Sequence, residues 1–394
     1  MIKLKRRILS VLIIAMILNH ILSISVFADN SNKCSWKYTP SNILMPGDDI
    51  TVFADGLEGT CDLILALYKD DRLVDVSYKE CEATEKSVSI TVPDDFSEEN
   101  EWLVKVFAWD SLPSMIPLVN SLEVKLESDS DITDRFEDSK FLQEIRTITG
   151  KNEDEPIYKS DVRNITELNL EDKEIQSLAG IEYLTELQIL NCVENKLTEL
   201  DVSENTKLKE LYCWFNDCQT LDFSNNKELE ILDCGYNPFL AELNVSGCIK
   251  LKELYCEYDS LTSLKPLDCV NLMCLVCYRN ELEELDVSDN INLEELNAWE
   301  NKMTKLDVSN NTKLTYLDCE GNYLTTLDIS NNTKLTDVDC GYNKLTKLDV
   351  SNNTKLTYLY CKGNEMNSTD DVTGWQEIGL VLGDNFIFSP QNGD

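Results

Sequence analysis

Residues 314–355 consist of two similar 21-residue repeats, LTYLDCEGNYLTTLDISNNTK followed by LTDVDCGYNKLTKLDVSNNTK. Positions 1, 4, 11 and 14 of each copy are apolar, and position 6 is Cys. Self-similarity at a short, fixed period is the signature of a solenoid, because a single repeat cannot bury its own apolar side and needs its neighbours to do so. This stretch therefore predicts a long stack of similar units.

The same unit recurs on both sides of this pair every 21 residues, except that one unit carries an extra residue near Pro238. A 22-residue variant, residues 165–186, comes first. The remaining units, called rungs below, start at Leu187, Leu208, Leu229, Leu251, Leu272, Leu293, Leu314, Leu335 and Leu356. The period and the pattern L-x-x-L-x-C-x-x-N-x-L are typical of leucine-rich repeats. We therefore predict an α/β-type solenoid dominated by β, with about ten rungs over residues 165–370 and a parallel β-sheet on its concave face.

Two further positions recur along the stack. Position 9 is Asn in most rungs, where a buried amide can satisfy main-chain groups as the strand turns away; Asp259 and Lys173 depart from this pattern. Position 6 is Cys in eight rungs: Cys192, Cys213, Cys234, Cys256, Cys277, Cys319, Cys340 and Cys361. Stacked strands lie about 4.8 Å apart with side chains at one position pointing the same way, whereas a disulfide needs a crossed geometry. We interpret these thiols as buried core; the alternative is a metal or redox role.

Charge and composition limit the possible partners. The chain has 394 residues, with 35 Lys and Arg against 72 Asp and Glu. Four basic residues precede an apolar run that ends at Ala28, which predicts a secretory signal peptide over residues 1–28; the alternative is an uncleaved anchor. Cleavage leaves 31 basic and 72 acidic residues, a net charge of −41. So acidic a chain does not suit nucleic acid or an anionic membrane.

The single histidine also restricts the chemistry. His20 lies in the predicted signal peptide, so the mature chain would have none. This disfavours catalysis that depends on histidine and metal sites with histidine ligands. A carboxylate-pair enzyme stays possible on composition alone.

The flanking segments predict three further parts. Residues 29–127 contain several short alternating segments, among them a hairpin pattern around Lys69–Arg72, and we predict an immunoglobulin-like β-sandwich. Its cysteines, Cys34, Cys61 and Cys81, are odd in number, so at most one pair can close internally. Residues 128–164 predict a linker and a helical N-cap, with Phe141, Leu142, Ile145 and Ile148 at helical spacing. Residues 371–394 predict a C-terminal cap over the last rung, built on Trp375, Ile378, Leu380, Leu382, Phe386 and Phe388.

The cap and the first rung carry a resemblance to a known family. The stretches FLQEIRTITGK (141–151) and YKSDVRNITELNL (158–170) resemble the caps of internalin-type bacterial leucine-rich repeat proteins, as does the 22-residue first rung. The 21-residue rungs with Cys and with Leu-Asp-Val-Ser-x-Asn look instead like a sister type found in secreted bacterial proteins. The resemblance covers about residues 136–370 and implies a leucine-rich repeat fold.

Aromatic residues mark the candidate binding face. Positions 2, 3, 5, 7 and 8 of each rung should face the concave side, and twelve of these positions hold aromatics: Tyr212, Trp214, Phe215, Tyr236, Tyr255, Tyr258, Tyr278, Trp299, Tyr316, Tyr342, Tyr358 and Tyr360. The core does not need them, and such residues dominate binding hot spots. We take the first eight, Tyr212 through Trp299, as the candidate ligand-binding residues, with Glu210, Asp233, Glu253 and Glu257 as acidic neighbours. The alternative is that the rings only pack on each other.

A ladder of aspartates recurs at position 15 of the rungs, in Asp201, Asp222, Asp286, Asp307, Asp328 and Asp349. Stacked carboxylates could bind calcium, but the glycine-rich calcium repeat is absent. We therefore interpret them as turn residues that bond to the main chain, and we predict no metal and no cofactor.

These observations together predict an exported, bacterial binding protein that is not an enzyme. It would be secreted or attached to the cell surface, would recognise a protein or glycan, and would be a monomer that neither binds nucleic acid nor inserts stably into a membrane after signal cleavage. The alternatives are a structural component of the surface or cell wall, and a carboxylate-pair glycosidase.

The cysteine interpretation leads to a direct test. Because the eight position-6 thiols should be core residues, all eight should titrate as free thiols in protein that is denatured without a reductant. A count below eight would show that the ladder contains disulfides or another modification.

Overall fold

The computed structural model describes most of the chain. The described residues are 35–39, 43–44, 49–55, 61–70, 72–81, 87–93, 102–109 and 122–391. The predicted signal peptide and Cys34 lie outside them. The chain divides into two units, one ending at Asp131 and including Tyr158–Ser160, the other formed by Ile132–Ile157 and the residues from Asp161 onward. Each unit is described separately.

The described residues of the first unit form two β-sheets. Its strands are β1 (Ser35–Thr39), β2 (Ile43–Leu44), β3 (Asp49–Asp55), β4 (Cys61–Lys69), β5 (Arg72–Cys81), β6 (Ser87–Thr91), β7 (Trp102–Trp109) and β8 (Leu122–Ser128). One sheet has the order β1-β3-β6 and the other β2-β8-β7-β4-β5, and every pair except β2–β8 is antiparallel. The prediction of an all-β module and of its hairpin is confirmed. The β4–β5 register places Cys61 opposite Cys81.

Short helices precede the solenoid. A 3-10 turn covers Thr133–Arg135, and the helices are α1 (Ser139–Thr149) and α2 (Lys159–Val162). Asp138 caps α1 by accepting hydrogen bonds from the main-chain N–H groups of Lys140 and Phe141, and its other oxygen accepts from Gln176 N. Phe141 and Ile145 are buried in the solenoid core, as the helical spacing predicts. Ile148, in contrast, is exposed.

The solenoid is held together by one long parallel sheet. The strands after α2 are β9 (Glu167–Asn169), β10 (Ile189–Asn191), β11 (Glu210–Tyr212), β12 (Thr220–Asp222), β13 (Ile231–Asp233), β14 (Glu242–Asn244), β15 (Glu253–Tyr255), β16 (Cys274–Val276), β17 (Glu295–Asn297), β18 (Tyr316–Asp318), β19 (Asp337–Asp339), β20 (Leu348–Asp349), β21 (Tyr358–Tyr360), β22 (Val372–Thr373) and β23 (Phe386–Ile387). Among the described residues the sheet has eleven strands, one from each of the ten predicted rungs plus β23. Strands β12–β14 and β20–β22 form two small additional sheets. The leucine-rich repeat prediction is confirmed.

The core follows the repeat positions. The strands pair in register, so that Leu211 lies opposite Leu232 and each position-4 side chain stacks on the next. The eight position-6 cysteines are fully buried and are free thiols. Several bond across rungs, as when Cys234 Sγ donates to Tyr255 O at 3.5 Å. Burial raises the pKa of these thiols, as it does for Cys319, which agrees with a core role.

Buried asparagines join the rungs at position 9. Asn322 Nδ2 donates to the carbonyls of Ala298 at 3.0 Å and Cys319 at 3.1 Å, and its Oδ1 accepts from Met303 N at 3.0 Å. A second ladder at position 19 comprises Asn205, Asn226, Asn290, Asn311, Asn332 and Asn353, each of which donates to two carbonyls of the preceding rung. In two rungs position 19 is a cysteine instead, Cys248 in one and Cys269 in the next, and each thiol donates to a main-chain carbonyl.

Asp259 replaces Asn in the position-9 ladder. It is 8% exposed, and its Oδ1 accepts from Asn237 N at 2.7 Å. Its Oδ2 is buried without a hydrogen-bond partner, whereas the Nδ2 atoms of the ladder asparagines donate to carbonyls. Burial raises the pKa of Asp259 to about 8, against the lowering effect of the Asn237 N–H. Burial therefore favours the neutral form of this carboxyl.

The C-terminal segment closes the stack. Leu380, Phe386 and Phe388 are buried in the core, and Trp375 and Ile378 pack against it. Gln391 continues the asparagine ladder, because its Oε1 accepts from Asn364 N and its Nε2 donates to Cys361 O. The prediction that Leu382 belongs to this cap core was wrong, since it is 51% exposed; it lies in the turn before β23. Among the described residues, the helices are too short or too polar to cross a membrane.

Substituting Asp259→Asn should stabilise the protein at neutral and higher pH. A carboxyl whose pKa is raised by folding favours the folded state below its unfolded value, near 3.8, and this stability is lost as pH rises to about 8. The loss is at most about 1.4 kcal/mol for each pH unit in that window. Urea unfolding at pH 4, 6 and 8 should show nearly equal midpoints at pH 4 and a widening advantage for the variant.

The matched control is the reverse exchange, Asn343→Asp. It places a carboxyl where Asn343 donates to the carbonyls of Cys319 and Cys340. Its stability should fall relative to the unmodified protein between pH 4 and 8. Parallel pH profiles for all three proteins would contradict the interpretation that burial favours the neutral form of Asp259.

Candidate ligand-binding face

The face of the long sheet opposite the core carries the candidate residues. In a strand such as β11, Leu211 at position 4 is buried while its neighbours at positions 3 and 5 are half-buried. The sheet face is defined here as the side chains at positions 3, 5, 7 and 8 of the rungs. The twelve predicted aromatics lie outside the buried core; Phe215, Tyr342 and Tyr358 are exposed and the others are half-buried.

Six of the eight candidate residues form a continuous series of ring contacts, called the aromatic row. Its members, in order of contact, are Trp214, Phe215, Tyr236, Tyr258, Tyr278 and Trp299, with ring centroids 4.9, 4.6, 4.5, 5.5 and 4.8 Å apart. Phe215, Tyr236 and Tyr258 stack nearly parallel, at interplanar angles of 22° and 21°. The row spans the same five consecutive rungs that the eight candidate residues occupy.

Arg279 completes the row, and sequence reasoning missed it. Its guanidinium lies 4.6 Å from the ring centroids of both Tyr258 and Trp299. Its Nε donates to Glu300 Oε2 at 2.6 Å, and its Nη1 bonds to the Tyr258 hydroxyl. The available signal was position: Arg279 stands at position 8, one rung after three successive position-8 aromatics.

Position 8 is a left-handed turn in rung after rung. The φ angle is 54° at Phe215, 54° at Tyr236 and 56° at Tyr258, a region where side chains with a Cβ are disfavoured. Two rungs use Gly321 and Gly363 there, which avoids the cost. Other rungs hold glutamate or arginine in the same conformation, so the left-handed turn belongs to the repeat, and the rings are what distinguishes these three consecutive rungs.

The other two candidates, Tyr212 and Tyr255, lie at position 5. Each hydroxyl donates to a carboxylate two residues earlier, Tyr212 to Glu210 and Tyr255 to Glu253, both at 3.0 Å. The strand register places Asp233 between the two tyrosines. These two tyrosines therefore lie beside the aromatic row, and their hydroxyl groups are hydrogen-bonded to carboxylates.

Asp233 and Glu257 form a desolvated acidic pair in this region. Burial raises the pKa of Asp233 to about 6 and that of Glu257 to about 7. Glu257 packs over Gly235, where a Cβ would come within 2.9 Å of the Glu257 carbonyl oxygen and 3.0 Å of its Cδ. The Glu257 Oε2 atom is buried and has no hydrogen-bond partner. We name Asp233 and Glu257, with Tyr212 and Tyr255, the first acidic seat.

A second acidic seat lies farther along the sheet, and sequence reasoning missed it. Asp318, Glu320 and Asp339 each offer an oxygen within 4.8 Å of the others. Burial raises the pKa of Asp318 to about 6 and that of Asp339 to about 8. Tyr316 and Tyr360 adjoin it, at positions 3 and 5 of nearby rungs. The signal was the segment DCGYN, which occurs at both 233–237 and 339–343.

Among the described residues, only Asp318, Glu320 and Asp339 are close enough together to hold a metal ion. Calcium takes six to eight oxygen ligands, so three carboxylates do not by themselves define a calcium site.

The position-15 aspartates bond to the main chain at turns, as the sequence predicts. Each Oδ1 accepts from the N–H of the Ser two residues later, at 2.8 to 3.0 Å. These bonds lower the pKa of several, Asp307 for example, with the Ser309 hydroxyl as the largest cause. One oxygen of each of these carboxylates is therefore hydrogen-bonded to the main chain.

Position 8 gives a stability prediction that reverses the usual ranking of Ala and Gly. Because Tyr236 has φ 54°, Tyr236→Ala should be less stable than Tyr236→Gly by about 1 kcal/mol. Denaturant unfolding of both variants measures this difference. An Ala variant as stable as the Gly variant would contradict the left-handed backbone at this position.

Comparison with known proteins finds solved structures with a similar fold. The chain is similar to the functional domain of InlJ from Listeria monocytogenes, described as including a cysteine ladder, with 32% identity over 64% of this chain and 63% of that chain and a TM-score of 0.50. This chain thus spans less than two thirds of the InlJ domain.

Two further similar structures are internalins from the same species. InlF is 22% identical over 61% of this chain and 87% of its own, with a TM-score of 0.40; InlC2 is 22% identical over 52% and 95%, with a TM-score of 0.45. No protein-family model matches the sequence, and neither does any curated protein. The resemblance drawn from the sequence is confirmed: the chain is an internalin-like leucine-rich repeat solenoid with a ladder of buried cysteines.

Proposed function

We propose that this protein is a secreted or cell-surface binding protein that recognises a protein ligand through the sheet face of its solenoid. It would act as a monomer, by adhesion or interaction rather than by catalysis. The single observation that carries the proposal is the aromatic row, whose position-8 rings are kept in a left-handed conformation that the same chain fills with Gly in two other rungs.

The likeness to InlJ supports an interaction role in general. It includes the repeat type and the cysteine ladder that the InlJ structure is described as having. Leucine-rich repeat solenoids present extended sheet surfaces that suit binding to large partners. An exposed cluster of aromatic residues agrees with this role, because Trp and Tyr dominate the energetics of protein interfaces.

The packing of the rings favours a protein ligand over a glycan. A sugar ring stacks on the flat face of an aromatic side chain. The faces of Phe215, Tyr236 and Tyr258 are already stacked on each other at about 4.5 Å. Their edges remain for a ligand, and ring edges contact the irregular apolar surface of a protein well.

The test removes the position-8 rings without disturbing the turn. A triple variant, Phe215→Gly, Tyr236→Gly and Tyr258→Gly, uses the residue that the chain itself has at Gly321 and Gly363. We expect it to fold and to lose binding by at least tenfold in pull-down from host and bacterial surface extracts; in a second arm, a glycan array, the unmodified chain should show no binding. The full-length chain is the reference in both arms.

The control changes three exposed apolar side chains at position 20 of the rungs. Ile249, Val270 and Ile291 are all exposed, and other rungs have Thr at this position, as at Thr312. Ile249→Thr, Val270→Thr and Ile291→Thr together should leave binding unchanged. A ligand that the triple glycine variant binds as tightly as the unmodified chain would refute the assignment of the sheet face.

A further inference from the structure

We propose that the sheet face binds a basic, extended segment of a partner protein, with its arginine or lysine side chains seated at the two acidic seats. This inference rests on the proposed function and specifies its partner. The first seat comprises Asp233 and Glu257 with Tyr212 and Tyr255, and the second comprises Asp318, Glu320 and Asp339 beside Tyr316 and Tyr360.

The charge of the sheet face is one-sided. At positions 3, 5, 7 and 8 of the rungs from Leu187 onward, the basic residues are Arg279 and Lys362. The acids at these positions are Glu194, Glu210, Asp233, Glu253, Glu257, Glu295, Glu300, Asp318, Glu320, Asp337 and Asp339. Complementary charge steers a partner and selects it among competitors, so this face fits a basic surface.

No cation offsets the desolvation of Asp233, Glu257, Asp318 and Asp339. Burial is the main cause of the raised pKa of Asp233 and of Glu257, and the only charge acting on Glu257 is that of Asp233. In the second seat the charges of Asp318 and Glu320 raise the pKa of Asp339 further. Lys362 acts on Glu320, but weakly beside the opposing effects of burial and Glu300. A cation from a partner would stabilise each seat in its charged form.

The sheet face already holds one guanidinium in the proposed manner. Arg279 lies over the rings of Tyr258 and Trp299 and pairs with Glu300. Cation–π contact and a charge-assisted hydrogen bond act together there. The seats offer the same two elements, tyrosine rings and carboxylates.

The spacing of the seats indicates an extended peptide. The DCGYN segments at 233–237 and 339–343 are five rungs apart, which at about 4.8 Å per strand is about 24 Å along the sheet. An extended chain rises about 3.4 Å per residue. One segment can therefore reach both seats with basic residues separated by about six to eight positions.

The experiment uses nona-arginine as the probe and isothermal titration calorimetry of the full-length chain. The seat variant, Asp233→Asn, Glu257→Gln and Asp339→Asn, removes three carboxylates. The control variant, Glu199→Gln, Glu242→Gln and Glu284→Gln, removes three exposed carboxylates at position 13, off the sheet face. Because burial raises the pKa of the three seat carboxyls, the control variant loses at least as much charge near pH 7 as the seat variant. General attraction to an acidic protein should therefore weaken at least as much in the control variant.

We expect the seat variant to bind nona-arginine at least tenfold more weakly than the control variant. Binding to the unmodified chain near pH 7 should also release protons, since a bound cation lowers the pKa of the seats. Comparing heats in two buffers of different ionisation enthalpy measures this release, which should be absent in the seat variant. Circular dichroism and thermal melting confirm that each variant is folded.

Three outcomes would each overturn the proposal of a basic partner. They are equal weakening in the two variants, no binding of nona-arginine, and binding of chitohexaose, a neutral glycan titrated for comparison, in place of nona-arginine. These results leave the proposed function intact if the triple glycine variant still loses a ligand captured by the unmodified chain. In contrast, a triple glycine variant that binds the captured ligand as tightly as the unmodified chain would refute the proposed function itself. The two proposals can therefore fail separately.

Discussion

The amide of a buried asparagine is the interaction on which the solenoid depends. Each rung turns its main chain away from the sheet inside the protein, where unpaired carbonyl and N–H groups are costly. Asn322 satisfies two carbonyls and one N–H at such a turn and joins two rungs while doing so. Asn332 and its counterparts each satisfy two carbonyls of the preceding rung on the other side of the stack. At the end of the stack, Gln391 supplies the missing amide from outside the repeat.

The same turn sets the form of the candidate binding face. To bring position 9 inward, position 8 takes a left-handed conformation, and its side chain lies on the sheet face beside position 7. Neighbouring rungs then place their position-8 side chains one above another at the spacing of stacked rings. Phe215, Tyr236 and Tyr258 use that spacing, and Arg279 extends it as a cation held between two rings. The structural demand of the turn and the surface that we propose for binding therefore arise from one geometry.

Desolvation gives the sheet face its second property. Asp233, Glu257, Asp318 and Asp339 are buried enough to raise their pKa values, although the protein as a whole is strongly acidic and could expose its carboxylates freely. Such groups cost stability when they are charged, and a cation from a partner would offset that cost. Asp259, deeper in the same region, has a structural explanation, because it replaces a ladder asparagine and burial favours the neutral form of its carboxyl.

The sequence by itself determined the repeat, its start points, the core positions, the inward cysteines and the turn role of Asp307 and its counterparts, because each of these depends on a residue's position within one 21-residue rung. The tertiary structure alone decided which side chains meet across rungs: the length of the aromatic row, the place of Arg279, and the approach of Asp339 to Asp318 and Glu320. It also decided that Leu382 lies outside the cap core. Residues in those contacts stand about one rung apart in the chain, and only the register and twist of stacked strands fix which of them touch.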